Sequence, residues 1–457
     1  MTRARLDGLY LLLLGSAVFA LLGVALENAS PVAMVDFRGL YYPARCLLQH
    51  GDPYAGREVL RIYQAEGADH HLDTARVRQV ATQYVNFPTA FSLTAPVAML
   101  SWRPAHLLWI TLIIGSLIFA SFLMWGLGAD YAPIVSGALI GFLLANSELP
   151  VITGNMAGIA IALCVVAVWC FLRERFVLAG VLCLALSLAC KPHDTGLVWL
   201  YFLLAGGVYR KRALQTLLAT VAVSLPAVLW VWHVAPHWMQ EWRFNLLAFS
   251  AHGAINDPGL SSPGAHGIGM VVSLQEVISV YWNDPRIYNS ATYLICAPLL
   301  LVWALATLRY RPSPRTVLLA LAAIAALSML PLYHRQQDTK LLLLTVPACA
   351  MLWAEGGPTG WLALLVNSAA FVLTGDLPWA ILLGFIGHMR APTTALGTQM
   401  LIAVQVFPVP LILLVTGIFY LWVYVRRCRD HASSGSVAVD RFRRRRGAPL
   451  LPERKSH

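Results

Sequence analysis

The repetition of long apolar runs constrains this chain more than any other feature of its sequence. Runs of roughly 15 to 25 apolar residues recur along most of the chain, and about 20 such residues match a hydrocarbon core of ~30 Å. Backbone amides inside hydrocarbon need internal partners, so such runs must form helices or the strands of a closed barrel. Barrel strands would alternate apolar and polar residues, which these runs do not. Only 12% of the residues are charged, against about 25% in a soluble domain. The sequence therefore predicts an all-α polytopic membrane protein.

About twelve of the runs are predicted to cross the bilayer. They cover residues 8–28, 105–127, 131–148, 156–172, 177–190, 195–208, 214–233, 288–307, 316–331, 340–354, 360–374 and 399–425. After the first span, the alternation of sides leaves room for only two crossings among the segments 86–101, 105–127 and 131–148. The sequence leaves open which one is incomplete. Segment 86–101, which is short and contains two prolines, is favoured as a partial or re-entrant element.

The basic residues between the spans predict an orientation. Lys and Arg concentrate in the short cytoplasmic loops of membrane proteins. The basic clusters lie at residues 3–5, 173–175, 210–212, 309–315 and beyond 425. Placing all of them in the cytoplasm puts both termini there and leaves two long loops, 29–85 and 234–287, outside. Compact loops and the lack of an organelle address make a bacterial inner (plasma) membrane the default location.

The net charge of +11 is concentrated near the C-terminus. Residues 426–457 hold ten basic and three acidic side chains. They are predicted to form a disordered cytoplasmic tail behind a membrane domain that covers residues 1–425. Such a tail serves mainly as a topology signal and a contact for anionic membrane lipids, so no nucleic-acid partner is expected. The eight cysteines lie mostly inside apolar runs and show no metal-binding spacing, so no metal site is predicted.

Ionisable residues crowd the predicted outer surface, whereas the spans hold almost none. Pumps and channels usually show the reverse arrangement. The distribution therefore favours chemistry or binding at the outer membrane–water boundary. Asp36 lies just past the first span, with Arg38 nearby in sequence. A carboxylate at this interface can act as a general base toward a hydroxyl. An ordinary solvated aspartate paired with arginine would give the same local sequence.

Several short motifs around these outer positions occur in a characteristic order. They are Asp36-Phe37, Tyr41-Tyr42, Gly51-Asp52-Pro53-Tyr54, Asn86-Phe87-Pro88, Gly154-Asn155, Lys191-Pro192 and Tyr333-His334-Arg335. In order and spacing this set resembles the polyprenol-phosphate-mannose-dependent mannosyltransferases of the GT-C superfamily, glycosyltransferase family 87 (DUF2029-type). The resemblance covers roughly residues 8–425. Three departures are visible: Gly154-Asn155 replaces a Gly-Gln, the tyrosine pair is shifted by a residue, and Tyr333-His334-Arg335 replaces a Ser-x-Trp-x-His stretch.

The resemblance implies a GT-C-like bundle and a defined chemistry. A polyprenyl-phosphate donor would deliver a hexose, most simply mannose, to a glycolipid or envelope glycan acceptor at the outer face. Asp36 would act as the general base of a single inverting displacement, with no cofactor. The substrate-binding residues would be Arg38, Tyr41, Tyr42, Asn86, Asn155, Lys191, His334, Arg335 and Lys340.

Two other classes of function are compatible with the spans. A transporter or lipid flippase would need polar residues within its helices and commonly an inverted internal repeat, neither of which is evident. A non-catalytic scaffold of envelope assembly would not explain the ionisable residues at the outer surface. The glycosyltransferase hypothesis is therefore ranked first, with the transporter as its alternative.

Overall fold

A computed structural model describes residues 2–66, 75–259, 262, 271–378, 380–381, 396–397 and 408–446. Within these residues the chain is overwhelmingly helical, and its β-structure is limited to an isolated bridge between Val271 and Arg335. The α-helices are α1 (Arg3–Ala29), α2 (Val35–Leu48), α3 (Gly56–Ala65), α4 (Ala75–Thr82), α5 (Phe91–Ala98), α6 (Trp102–Gly128), α7 (Pro133–Leu144), α8 (Leu149–Thr153), α9 (Ala157–Arg173), α10 (Val177–Cys190), α11 (Pro192–Leu204), α12 (Gly207–Val234), α13 (Trp238–Ser250), α14 (Leu274–Ser279), α15 (Pro285–Arg309), α16 (Pro314–Leu327), α17 (Val346–Glu355), α18 (Gly357–Thr374) and α19 (Pro408–Arg446). Two 3₁₀ helices cover Pro88–Ala90 and Gln336–Thr345.

The predicted class, an all-α membrane protein, is confirmed. In the described part of the chain, seven helical segments are long and apolar enough to cross a bilayer: α1, α6, α7 with α8, α12, α15, α18 and α19 up to Asp430. The other predicted spans correspond to shorter helices such as α9, α10 and α16. Residues 316–327 of α16 are all buried, so this helix packs against protein rather than lipid. The total of about twelve spans stays a prediction.

Segment 86–101 does not form a long helix. It consists of the 3₁₀ helix Pro88–Ala90 followed by α5, which has 8 residues. At ~1.5 Å per residue, α5 covers about 12 Å, far less than the hydrocarbon thickness. The two segments that follow it, 105–127 and 131–148, by contrast both belong to the seven long helical segments. The arrangement agrees with the expectation that this proline-containing segment is the incomplete one.

Glycines hold α1 directly against α7. A Cβ atom built on Gly15 would lie 2.1 Å from the carbonyl oxygen of Gly141, and one on Gly137 would lie 2.0 Å from that of Gly8. Only glycine allows backbones to approach so closely, as in the small-residue interfaces of other membrane helices. This contact places the C-terminal end of α1, and hence the start of α2, beside α8.

The predicted cytoplasmic basic clusters meet at one end of the bundle, called here the basic end. Arg5 and Arg173 both contact the carboxylate of Asp130, at 2.9 and 2.5 Å. Arg315 and Arg427 both contact Glu355. These pairs are solvent-exposed and contribute little stability. They bring residues 3–5 together with 173–175, and residues 309–315 together with the start of the tail. The assignment of these loops to the cytoplasm stays a prediction.

The two long loops that are predicted to lie outside pack together at the opposite end. In the second loop, the side-chain amide of Asn245 on α13 donates to the backbone carbonyls of Tyr54 (3.1 Å) and Tyr84 (3.2 Å) in the first loop. The indole N–H of Trp242 likewise donates to the backbone carbonyl of Val85. Farther along, the backbone N–H of Val272 donates to the carbonyl of His334 at 2.8 Å. The second loop thereby connects the first loop to the start of the 3₁₀ helix Gln336–Thr345.

The last helix, α19, continues beyond the membrane-spanning stretch to Arg446. Residues 426–446, predicted to begin a disordered tail, are therefore helical, and no proline interrupts the chain between Pro410 and Pro449. Residues 447–457 and the start of the predicted span 399–425 lie outside the described residues.

Candidate functional site

Asp36 occupies the first turn of α2, where it is half-buried. The backbone N–H of Met34, in the left-handed conformation (φ 54°), donates to the carbonyl of Ile152 at 2.8 Å and docks this turn on α8. The side-chain amide of Asn155 donates to Oδ2 of Asp36 at 2.7 Å. The amide oxygen of Asn155 accepts from the backbone N–H of Ala157 at 2.8 Å. Asp36 is thus oriented by the chain segment that follows α8.

An aromatic stack joins the same two segments. The ring of Phe37 stacks on Trp109 with centroids 4.8 Å apart, and the indole N–H of Trp109 donates to the carbonyl of Gly154 at 2.8 Å. Gly154 has φ 67°, and a Cβ there would lie 2.7 Å from the Cβ of Phe37. A larger residue could not occupy this position without moving the stack. The Asp36-Phe37 and Gly154-Asn155 motifs therefore form one unit.

A second group of ionisable side chains centres on Lys191, between α10 and α11. Its ammonium lies 2.7 Å from Oδ1 of Asp338 and 3.2 Å from Oδ2 of Asp194. Burial alone would lower the pKa of Lys191, but the two carboxylates outweigh burial and hold the pKa above its usual value. Burial alone would raise the pKa of Asp338, yet Lys191 and the neighbouring histidines keep it below its usual value. The pair is therefore ionised throughout the neutral range.

Two histidines complete this group. Nε2 of His193 lies 3.2 Å from Oδ1 of Asp194, and Nε2 of His334 lies 3.7 Å from the same oxygen. The side chain of His334 is fully buried, and its ring is centred 5.4 Å from that of His193. Burial lowers the pKa of His193, so this imidazole is neutral at pH 7. The predicted residues Lys191 and His334 are thus brought together through Asp194.

Arg335 connects this group to Asp36. Its backbone N–H donates to Oδ2 of Asp338 at 2.7 Å. Its guanidinium donates to the side-chain oxygen of Asn256 at 2.9 Å, bonds the hydroxyl of Tyr333, and interacts electrostatically with Asp36. Contacts therefore join Lys191, His334 and Arg335 into one group, and Asp36, held by Asn155, lies within electrostatic range of its Arg335. These residues and the side chains that contact them are called here the outer site.

Three side chains around Lys191 and His334 could hold a metal ion. His193, Asp194 and Asp338 offer ligand atoms that lie within 4.8 Å of one another. A carboxylate–imidazole set of this kind suits a divalent cation. The ammonium of Lys191, however, already contacts both carboxylates and neutralises one of their two charges. Both carboxylates are therefore already engaged by a side chain of the protein.

Other predicted binding residues lie in the packing behind Asp36. Tyr41 and Tyr42 are almost fully buried, and the hydroxyl of Tyr41 donates to the carbonyl of Leu100 at 3.0 Å. The guanidinium of Arg38 lies 4.9 Å from the ring centroid of Trp102, which stacks on Tyr42. These contacts position α2 against α6. Asn86 is half-buried, and its backbone carbonyl accepts from Tyr54 at 2.8 Å.

Lys340 belongs to a separate buried cluster. Its ammonium donates to the carbonyls of Asn146 (3.0 Å) and Thr374 (3.4 Å) and to Oδ1 of Asp376 (3.1 Å). The carboxylate of Asp376 also accepts from the backbone N–H of Leu149 at 2.7 Å. Glu148 lies nearby and is 1% exposed, and neither of its carboxylate oxygens has a hydrogen-bond partner among the described residues. These contacts make Lys340 a link between α7, α18 and the 3₁₀ helix.

Sequence reasoning did not single out several residues of the outer site. Asp194 and Asp338 are the partners of Lys191, and Asn256 and Glu276 lie on the second loop near Arg335. Asp194 follows Lys191 by three positions at the start of a helix, a spacing that brings the two side chains onto one face. The same spacing relates Asp338 to Arg335. No local signal relates Asp338 to Lys191, 147 positions away, or Asn256 to Arg335, 79 positions away.

Comparisons with known proteins identify no relative of this chain. No protein-family model matches it, and neither a curated protein nor a solved structure gives a significant match. The assignment to a family therefore rests on the order of the short motifs alone.

Proposed function

We propose that this protein is a membrane glycosyltransferase that moves a hexose, mannose by resemblance, from a polyprenyl-phosphate donor to a hydroxyl of a glycolipid or envelope glycan at the outer face of a bacterial inner membrane. The hydrogen bond from Asn155 to Asp36 supports this proposal most directly. It holds one carboxylate oxygen of a half-buried aspartate. In the described part of the chain, no hydrogen bond reaches the other oxygen, Oδ1, which is therefore available to accept a proton.

The proposed reaction is a single displacement at the anomeric carbon. The acceptor oxygen forms a bond to that carbon while the bond to the phosphate oxygen breaks. The acceptor proton moves to Oδ1 of Asp36, and the polyprenyl phosphate leaves with the bonding electron pair. Attack from the face opposite the phosphate inverts the anomeric configuration. A positioned general base contributes typically about 10²- to 10⁴-fold to such a rate.

Charge in the outer site suggests how the leaving phosphate is bound. Lys191 is shared between two carboxylates, so its group of three carries a net charge of −1 when ionised. Arg335 lies within electrostatic range of Asp36 and is the cation that we assign to the phosphate. A guanidinium attracts a phosphate by its charge and donates charge-assisted hydrogen bonds to it. In this proposal Lys191 positions Asp338, which in turn fixes the backbone of Arg335.

Reconstitution with a defined donor tests the proposal. Purified protein in liposomes would be given polyprenyl-phosphate-mannose and candidate glycolipid acceptors, and sugar transfer would be measured. Wild-type protein should transfer the sugar, and Asp36→Asn should reduce transfer at least about 100-fold. Asp284→Asn is the matched control, because Asp284 is an exposed helix cap on the same face and asparagine caps equally well. Equal transfer by wild type and Asp36→Asn would disprove the role of Asp36.

A lipid transporter is the second candidate. The buried set of Lys340, Asp376 and Glu148 is the kind of ionisable group within a bundle that transport would use. In the same liposomes, movement of the polyprenyl phosphate between leaflets without cleavage of the sugar–phosphate bond would favour transport. Cleavage coupled to acceptor glycosylation would favour the transferase.

A further inference from the structure

A groove lies at the basic end of the bundle, opposite the end where the outer site lies. It has a volume of about 570 Å³ and opens between α15 and α19. Its lining residues are Val302, Ile418, Leu421, Trp422, Val425, Arg426, Arg429 and Asp430. The apolar residues precede the charged ones along α19. The groove therefore has an apolar part toward the membrane and a charged mouth at the end of the spanning stretch.

The apolar part faces hydrocarbon. Val302, Ile418 and Trp422 are 45%, 44% and 49% exposed, on helices that are long enough to cross the bilayer. The stretch from Ile418 to Arg429 covers about 16 Å of helix at ~1.5 Å per residue. This length is roughly half of a ~30 Å hydrocarbon core, or one leaflet. A molecule that fills the groove would thus have its chain in one leaflet and its polar end beside the arginines.

The charged mouth is suited to an anion. In the described residues, neither Arg426 nor Arg429 takes part in an ion pair. The guanidinium of Arg426 lies 5.7 Å from the ring centroid of Trp422. Asp430 also lines the groove, so the charged residues that are described there, two arginines and one aspartate, sum to +1. A second groove of about 410 Å³ contains Arg173, but that arginine already pairs with Asp130.

We propose that the groove between α15 and α19 binds an anionic glycerophospholipid. Its phosphate lies between Arg426 and Arg429, and an acyl chain lies along Val302 and Ile418. Basic pockets at the ends of membrane helices attract anionic headgroups, and arginine binds phosphate through paired hydrogen bonds. A free phosphate ion would use only the mouth and would leave the apolar part unfilled. The site is independent of the chemistry proposed for the outer site.

Lipid titration followed by native mass spectrometry tests this site. The full-length protein in detergent would be titrated with phosphatidylglycerol or phosphatidylcholine, and bound lipids would be counted. Wild type should bind phosphatidylglycerol more tightly than phosphatidylcholine. A basic residue near an anionic lipid changes affinity about fivefold, so Arg426→Gln/Arg429→Gln should lose roughly 25-fold for phosphatidylglycerol. Val302→Trp, which fills the apolar part without changing charge, should also weaken binding.

The matched control is Lys211→Gln/Arg311→Gln, which removes the same charge from exposed residues at the same end. It should bind phosphatidylglycerol as wild type does. The proposal is wrong if wild type binds both lipids equally. It is also wrong if the two double variants lose affinity in parallel, since that would show a general effect of charge. Unchanged binding by Val302→Trp would likewise overturn it, because the lipid would then lie elsewhere.

Discussion

Asn155 and Asp36 are 119 positions apart in the sequence, yet the side-chain amide of Asn155 donates a 2.7 Å hydrogen bond to Oδ2 of Asp36. The amide oxygen is committed to the backbone N–H of Ala157, so the amide nitrogen must face Asp36. A carboxylate on α2 is therefore oriented by a loop that follows another helix.

The substitution Asn155→Asp tests whether the hydrogen bond from Asn155 positions Asp36 for catalysis. The new carboxylate can still accept from Ala157, but it cannot donate to Asp36 and it adds a like charge beside it. Loss of a hydrogen bond to a charged group costs about 1.5–3 kcal/mol, so sugar transfer should fall about 10- to 100-fold. Initial rates in liposomes would measure the loss, and the thermal melting of the variant would show that it is folded. A folded variant with the wild-type rate would refute the positioning role.

The buried carboxyl group of Glu276 should make the stability of the folded protein depend on pH. Burial raises the pKa of Glu276 well above its ordinary value of 4.5, and no described residue forms a hydrogen bond to either carboxylate oxygen. Below about pH 4.5 the group is protonated in both the folded and the unfolded chain and contributes nothing. Above that pH the unfolded chain ionises while the folded chain keeps its proton, so the group increasingly destabilises the fold until its raised pKa is reached.

Glu276→Gln should remove this pH-dependent term. The difference between the melting temperature of this variant and that of wild type should therefore increase in favour of the variant as the pH rises from about 5 to 8. Melting in detergent, followed by tryptophan fluorescence, would measure the difference. Glu241→Gln, an exposed change on α13 of the same loop, should show no such trend. A difference between Glu276→Gln and wild type that does not change with pH would contradict the prediction.

Substitutions of Lys340 and of Glu148, which lie in one buried cluster, should have opposite effects on the melting temperature. Lys340→Met removes the partner of Asp376 and leaves two carbonyls and a buried carboxylate without their donor. Breaking a buried ion pair in this way costs about 3–5 kcal/mol, so melting should occur well below the wild-type temperature. Glu148→Gln removes an unpartnered carboxylate and should leave melting unchanged or raise it. Equal destabilisation by the two changes would contradict this view of the cluster.

The contact between α1 and α7 predicts a strict requirement for glycine. Gly15→Leu would drive a side chain into the backbone of Gly141, which lies 2.1 Å from the position of the new Cβ. Overpacking of this kind costs about 1–3 kcal/mol or more, so the yield of monodisperse protein should drop sharply. Gly115→Leu is the control, because nothing lies within 4 Å of a Cβ built there. The same yield from both variants would show that α1 can shift away from α7.

The motif order in the sequence anticipated part of the outer site. Asp36, Asn155, Lys191, His334 and Arg335 were all selected from sequence; contacts join Asp36 to Asn155 and Lys191 to His334 and Arg335, and Asp36 lies within electrostatic range of Arg335. Their position just past apolar runs was the usable signal, because residues that leave the bilayer at the same face are already confined to one layer. Lys340 met the same criterion, but its partners are Asp376 and two carbonyls. Position along the chain could not distinguish a lysine that faces the site from one that is enclosed.

By itself the sequence determined that the chain is helical and built for a bilayer, because the length and polarity of a run are local properties that decide whether it can leave water. Only the tertiary structure decided which ionisable groups neutralise one another. Lys191 pairs with Asp338, which lies 147 positions away on the 3₁₀ helix. The short helix α16 does not need to match the bilayer thickness, because its residues 316–327 are buried against other helices. The free energy of a buried charge depends on what lies within a few ångströms, and those neighbours come from distant parts of the chain.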